Sequence, residues 1–319
     1  MVRYQRWLQA AVFFLIVALA GSLLPGTYYV TLLNLIGLHI IIVLGLNLLM
    51  GYAGQISLGH AAFFGLGAYT SGILTATYKV DPVLALLIGL ALSATVAVVV
   101  GIPALKLRGY YLAMATLGFG IIVAIGFQQM DWLTGGPSGF MGIPPFRLLG
   151  WQFKTPQAGF FLVWTMVGGV LFLSLNIVDS RIGRALRAIH DSETAALAMG
   201  IDAQRLKLLI FLVSALYASL AGSLLAHTVN FIAPSSFGFM FSIKLVTMVV
   251  VGGMASIWGS LLGAAALTVL PELLAVFHDL EVVIFGLILM VVMIFLPRGL
   301  VRGLLDLWEF RRRKQQGLQ

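Results

Sequence analysis

Residues 7–78, WLQAAVFFLIVALAGSLLPGTYYVTLLNLIGLHIIIVLGLNLLMGYAGQISLGHAAFFGLGAYTSGILTATY, contain no Asp, Glu, Lys or Arg. A helix crossing a bilayer needs about 20 apolar residues. This run therefore holds spans at 8–24, 30–50 and 56–77. Further uncharged runs cover 82–105, 109–130, 155–178, 208–243, 245–271 and 282–297. The whole chain is 61% hydrophobic and 9% charged, where a soluble domain carries roughly 25% charged residues. These figures predict an all-α, polytopic membrane protein, with one transmembrane domain over 1–319.

Cysteine is absent, which excludes disulfides, a thiolate nucleophile and thiolate-bound metal. The five histidines are too scattered for a metal site. There is no GxxxxGK[ST] phosphate loop, so the chain has no means of its own to hydrolyse ATP. The excess of basic residues suits cytoplasmic loops facing anionic lipid rather than nucleic acid. Arg3, Arg6 and the run ending Ala18-Leu19-Ala20 share the pattern of a cleaved signal peptide. The next apolar segment follows at once, as it does when a first helix stays.

Charge sets the topology. With the N-terminus inside, the inner side receives Arg3, Arg6, Lys106, Arg108, Arg181, Arg184, Arg187, Arg205, Lys207, Arg298, Arg302 and the run Arg311 to Lys314. The outer side receives only Lys79, Arg147, Lys154 and Lys244. The positive-inside rule favours this arrangement. It places both termini and the basic tail, 298–319, in the cytoplasm. Spans at 83–105, 109–130, 159–178 and 207–229 then leave the chain outside near residue 230. A last span at 281–297 must end inside, so 242–273 crosses twice or enters and returns. Eight or ten crossings follow, with a break about Gly252 and Gly253. Irregular backbone at that depth must be satisfied by protein or by a water-lined cavity.

Gly51, Gly54 and Gly59 lie in a second candidate break. Gln55, Ser57 and His60 beside them are polar groups that avoid lipid. They either bond neighbouring helices or line a translocation path. His39 and His227 read as neutral, hydrogen-bonded side chains, with a proton relay as the alternative for His39. The Gly- and Pro-rich stretch 131–158 reads as an extracytoplasmic loop.

The cytoplasmic loop 179–206 stands between two spans. Asp191 or Ser192 can cap a helix there, Glu193 suits its first turn, and Gly200 supplies a stop. A helix of about two turns is expected over 192–199. Arg181, Arg184 and Arg187 share a helical face before it. The segment is either a basic anchor on the lipid surface or a docking helix for a soluble partner.

Three segments resemble one family. They are GYAGQISLGHAAFFGLGAY at 51–69, LRGYYLAMATLGF with LTGGPSGFMGIP at 107–119 and 133–144, and SRIGRALRAIHDSETAALAMGI at 180–201. The family is that of permease subunits of ABC importers for branched-chain amino acids, LivM type. The resemblance implies a type II importer fold in the bacterial inner membrane. It also implies a second, related permease subunit, two cytoplasmic ATPase subunits that use the ATP, and an extracytoplasmic binding protein. No cofactor bound by the chain itself is implied. The loop meeting the ATPase would present Arg187, Asp191, Glu193, Ala195, Ala196 and Gly200. Thr194 interrupts the family's Glu-Ala-Ala pattern. Permeases for urea or short amides carry similar motifs and stay open as an alternative. An ion-coupled secondary transporter also stays open, though it wants an ionisable residue near the midplane.

Overall fold

The computed structural model describes residues 26–274 apart from Arg108 and Leu149, and isolated positions beyond. The expected spans at 8–24 and 281–297 and the tail at 298–319 lie outside the described residues, save those isolated positions.

Among the described residues the long elements are all helices. They are α1 (Thr27–Asn47), α2 (His60–Ala76), α3 (Pro82–Ala104), α4 (Tyr110–Gln129), the single turn α5 (Asp131–Thr134) and α6 (Pro156–Asp179). Then follow α7 (Arg181–Asp191), α8 (Glu193–Ala198), α9 (Ala203–Val229), α10 (Phe239–Gly252) and α11 (Ile257–Leu274). Six of these, with α1 extended to Tyr52, are long and apolar enough to cross a membrane. The stretch 242–273 is two helices, α10 and α11, with the break at 253–256.

Helix starts follow local chemistry. Asp81 caps α3 by accepting Val83 N–H at 3.0 Å, and Thr155 caps α6 by accepting Ala158 N–H at 3.2 Å. Proline fills the first position of both helices, where its missing N–H costs nothing.

The core forms around α1. From Ile36 to Ala53 every residue is buried, whichever side of the helix it faces. An apolar helix of that kind belongs at the centre of a bundle. Helices α3 and α4 leave large apolar side chains exposed, among them Leu87, Val99, Ile122 and Ile125, as a lipid-facing wall does. Small residues bring α2 and α9 together: Gly67 lies against the Ser219 backbone, and Gly222 against Phe64 O and Ala68 N. A side chain at either glycine would enter the opposite backbone. Ser219 Oγ adds a bond to Gly89 O of α3 at 3.2 Å. Close approach and interhelical hydrogen bonds replace the hydrophobic drive that lipid cannot supply.

Helices α10 and α11 form an antiparallel hairpin. Gly252 meets Gly259, and Gly263 meets Met248 O. Tyr28 Oη at the start of α1 donates to Glu272 Oε2 at 2.6 Å near the end of α11. The hairpin tip therefore lies toward the opposite end of the bundle, beside the end of α1. That end also carries α7, α8 and the bases Lys106, Arg181, Arg184, Arg187, Arg205 and Lys207; it is the basic end. The other end holds two short ribbons, β1 (Phe140–Met141) with β4 (Phe231–Ile232), and β2 (Arg147–Leu148) with β3 (Trp151–Gln152). Lys244 lies in the second turn of α10 rather than in a connecting loop.

Candidate functional site

Two assemblies at the basic end combine polar groups with irregular backbone. The first joins the end of α1, the link to α2 and the hairpin tip. At Gly51 the helix does not stop; it widens into a π-helical turn over Leu48–Tyr52. The absent side chain at Gly51 leaves room for Ala255 N and Asn47 Oδ1. Asn47 is fully buried and satisfies the hairpin tip. Its Nδ2 donates to Ser256 O at 2.9 Å and to Ser260 Oγ at 2.7 Å, and its Oδ1 accepts Ala255 N–H at 2.9 Å. Gly253 at φ 112° and Ala255 at φ 57° turn the chain. The amide thereby supplies the partners that irregular backbone needs away from water. Single π turns of this kind recur at functional sites.

The link 53–59 is held in the same way from several helices. Leu58 N–H donates to Thr116 Oγ1 of α4 at 3.0 Å, and Ala61 N–H to Ser242 Oγ of α10 at 3.3 Å. Ser57 Oγ and His60 Nδ1 lie 3.0 Å apart, and His60 Nε2 lies 2.5 Å from Ser214 Oγ of α9. Ser57 and His60 are thus brought together and buried, with both ring nitrogens bonded. Gln55 is not part of that cluster: its Nε2 donates to Ala53 O at 3.0 Å. Gly54 adopts φ 67° and touches His190 of α7, and Gly59 caps α2 against Thr116 O. Gly252 is the last residue of α10.

The other buried histidines have defined tautomers. Thr268 Oγ1 gives its proton to Ala264 O at 2.6 Å, so His39 Nδ1–H donates to Thr268 Oγ1 at 2.7 Å. His227 Nδ1–H donates to Pro144 O at 2.8 Å, which leaves Nε2 to accept from Ser71 Oγ at 2.9 Å. A cavity of about 220 Å³ opens near His227, between α1, α6 and α9, with Asn34, Leu38, Lys154 and Thr228 on its wall.

The second assembly is the loop between α6 and α9. Ser180 caps α7 by accepting Ile182 N–H at 3.1 Å and Gly183 N–H at 3.3 Å. Gly183, Leu186 and Ile189 form its buried stripe, and Arg181, Arg184 and Arg187 are exposed. Arg187 reaches back: Nη2 donates to Val178 O at 2.6 Å, and the guanidinium stands 5.9 Å from the Tyr52 ring centre. Ser192 caps α8 by accepting Ala195 N–H at 3.3 Å, and Gly200 ends the segment at φ 78°.

The six candidate residues of this loop face different ways. Ala196 is buried against Ile189 and Ala203. Glu193 pairs with Lys207, and Arg187 is engaged with its own chain. Asp191, Ala195 and Gly200 are exposed. Beside them stand Leu197, 49% exposed, and Met199, 82% exposed. Sequence reasoning did not single out these two apolar residues, because exposure of a Leu or Met has no local signal. It also passed over Lys207, whose buried ammonium needs a partner that only the packing reveals.

The family model for the branched-chain amino acid transport system / permease component matches residues 28–296. The chain is similar to the high-affinity branched-chain amino acid transport system permease protein LivM of Escherichia coli (strain K12). The two are 33% identical over 310 residues, covering 90% of this chain and 73% of that one. It is also similar to the permease protein BraD of Pseudomonas aeruginosa, 30% identical with 82% and 91% of the two chains covered. The permease protein LivH of Escherichia coli (strain K12) is 27% identical, with the same coverage. No solved structure matches the chain significantly. A family match spanning nearly all of the helical bundle, together with relatives similar across most of their length, means that this chain belongs to the family of permease components of branched-chain amino acid transport systems.

Proposed function

We propose that this chain is a transmembrane permease subunit of an ATP-driven importer, with a branched-chain amino acid as its cargo. The observation that carries the reading is α8. It is a short helix, seated between two membrane spans, that together with the residue capping its end presents Leu197 and Met199 outward beside a row of arginines. Exposed apolar residues rimmed by charge suit a protein partner. The relatives named for branched-chain amino acid transport support the cargo class.

In this reading the basic end faces the cytoplasm of a bacterium, as the positive-inside rule favours. One of two ATPase subunits binds the exposed side of α8, a second permease subunit completes the path, and an extracytoplasmic binding protein delivers cargo at the opposite end. Closure of the ATPases pushes on α8, and the spans rock between outward and inward access. Gln55, Ser57 and His60 belong to the segment beside the path, where Gly54 and Ile56 reach the surface.

Deletion of 190–200 is expected to leave membrane insertion intact while abolishing ATPase retention and leucine uptake by the reconstituted complex. Wild-type ATPase retention by that deletion would sink the docking role. Uptake of labelled urea in preference to leucine would reassign the cargo.

A further inference from the structure

A push on α8 moves the membrane spans only if α8 is rigidly joined to one of them. Two joints link it to α9. One is apolar, with Ala196 packed among Ile189 and Ala203. Such a contact is non-directional and resists sliding weakly. The other is an ion pair: Lys207 Nζ lies 2.9 Å from Glu193 Oε1, with the Lys207 side chain 4% exposed and that of Glu193 25% exposed.

The position of this lysine is costly. Lys207 lies in the second turn of α9 with its side chain almost wholly buried, where desolvation penalises a charged ammonium. Its long stem does not carry the ammonium to water, although Arg205, one turn-edge away, is open to solvent. An apolar side chain of similar length would fill the same space without the desolvation cost of a buried charge. An ion pair with hydrogen-bond geometry supplies what such a side chain lacks: a fixed direction and distance between α8 and α9.

Beyond Lys207, α9 is in turn locked to the core. Ser214 bonds His60, and Gly222 sits against the α2 backbone. A displacement of α8 handed to α9 therefore reaches α2 and the 53–59 link. We propose that Lys207 is a positioning residue for transport: paired with Glu193, it passes movement of the docking helix into α9. This rests on the reading of α8 as the ATPase contact.

The test uses the whole complex in proteoliposomes, measuring ATPase retention, ATP hydrolysis and labelled leucine uptake together. In Lys207→Met the ATPase stays bound. The ATP hydrolysed per leucine imported rises about ten-fold, within the usual range for coupling between two sites. Glu193→Gln shifts the same ratio in the same direction and serves if Lys207→Met fails to insert. The double reversal Glu193→Lys with Lys207→Glu returns the ratio to near wild type. An unchanged ratio in both single variants overturns the proposal. So does a parallel fall of hydrolysis and uptake, which marks a merely structural residue, or a reversal that does not rescue. Failure of the wild-type chain to retain any ATPase is a different result and removes the docking reading itself.

Discussion

At 253–256 the chain breaks between two helices; Ser256 caps Gly259 N–H locally, and the fully buried Asn47, 209 residues earlier than Ser256, adds bonds to Ala255 N–H and Ser256 O. At 192–202 it breaks between helices at the basic end, and the caps are local. Ser192 serves Ala195, Asp202 serves Arg205, and Gly200 turns the chain. The difference is solvent. Near water, a carbonyl left over by an imperfect cap finds a partner at little cost. Within the apolar bundle each unmet group costs its full desolvation. The first break therefore adds a buried, remote side chain to its local cap, and the second is left to its neighbours.

The sharpest way to break this comparison is Asn47→Ala. It strips the partner from Ala255 N–H, removes one of the bonds to Ser256 O, which keeps that from Ser260 N–H, and leaves a void beside Gly51. A loss of about 1–3 kcal/mol is expected, from the Ala255 N–H left without its partner. The thermal unfolding midpoint in detergent should fall by several degrees, and uptake should be lost. A midpoint within error of wild type would mean that water already reaches the hairpin tip.

His60→Leu comes next. It keeps volume and removes the bonds to Ser57 and Ser214, for a cost of about 1–2 kcal/mol. Hydrogen exchange should quicken at residues 57–61. The smallest effect belongs to the surface break. Ser192→Ala removes one cap, worth about 1 kcal/mol. It should raise exchange over 193–198 and leave the global midpoint in place. If Ser192→Ala destabilised the protein as much as Asn47→Ala, the distinction between the two breaks would be lost.

The same contrast explains what was legible in the sequence. The charge-free runs delivered the membrane-spanning helices, because length and hydropathy suffice in a medium that permits few backbone conformations. The caps at Ser192 and Gly200 are local, so their residue types are visible where they act. Asn47 stood out only as a polar residue in an apolar span, and nothing near it names Ala255 or Ser260 as its partners. Ser214, Ser242 and Thr116 are single hydroxyls in ordinary helices. Their convergence on 58–61 comes from packing, which one sequence does not display. The burial of Lys207 and the identity of Glu193 as its partner both needed three dimensions.

The tautomers of the buried histidines have a consequence for the energetics of the proposed rocking. His39 and His227 each donate through one fixed nitrogen, and both nitrogens of His60 rest on hydroxyls. From Thr27 to Ala76, and from Leu208 to Val229, no side chain is Asp, Glu, Lys or Arg. Carrying one elementary charge through 100 mV is worth about 2.3 kcal/mol. Helices α1, α2 and the membrane-embedded part of α9 hold no such charge to carry. Any displacement of these helices against one another therefore carries no Asp, Glu, Lys or Arg charge through the membrane voltage.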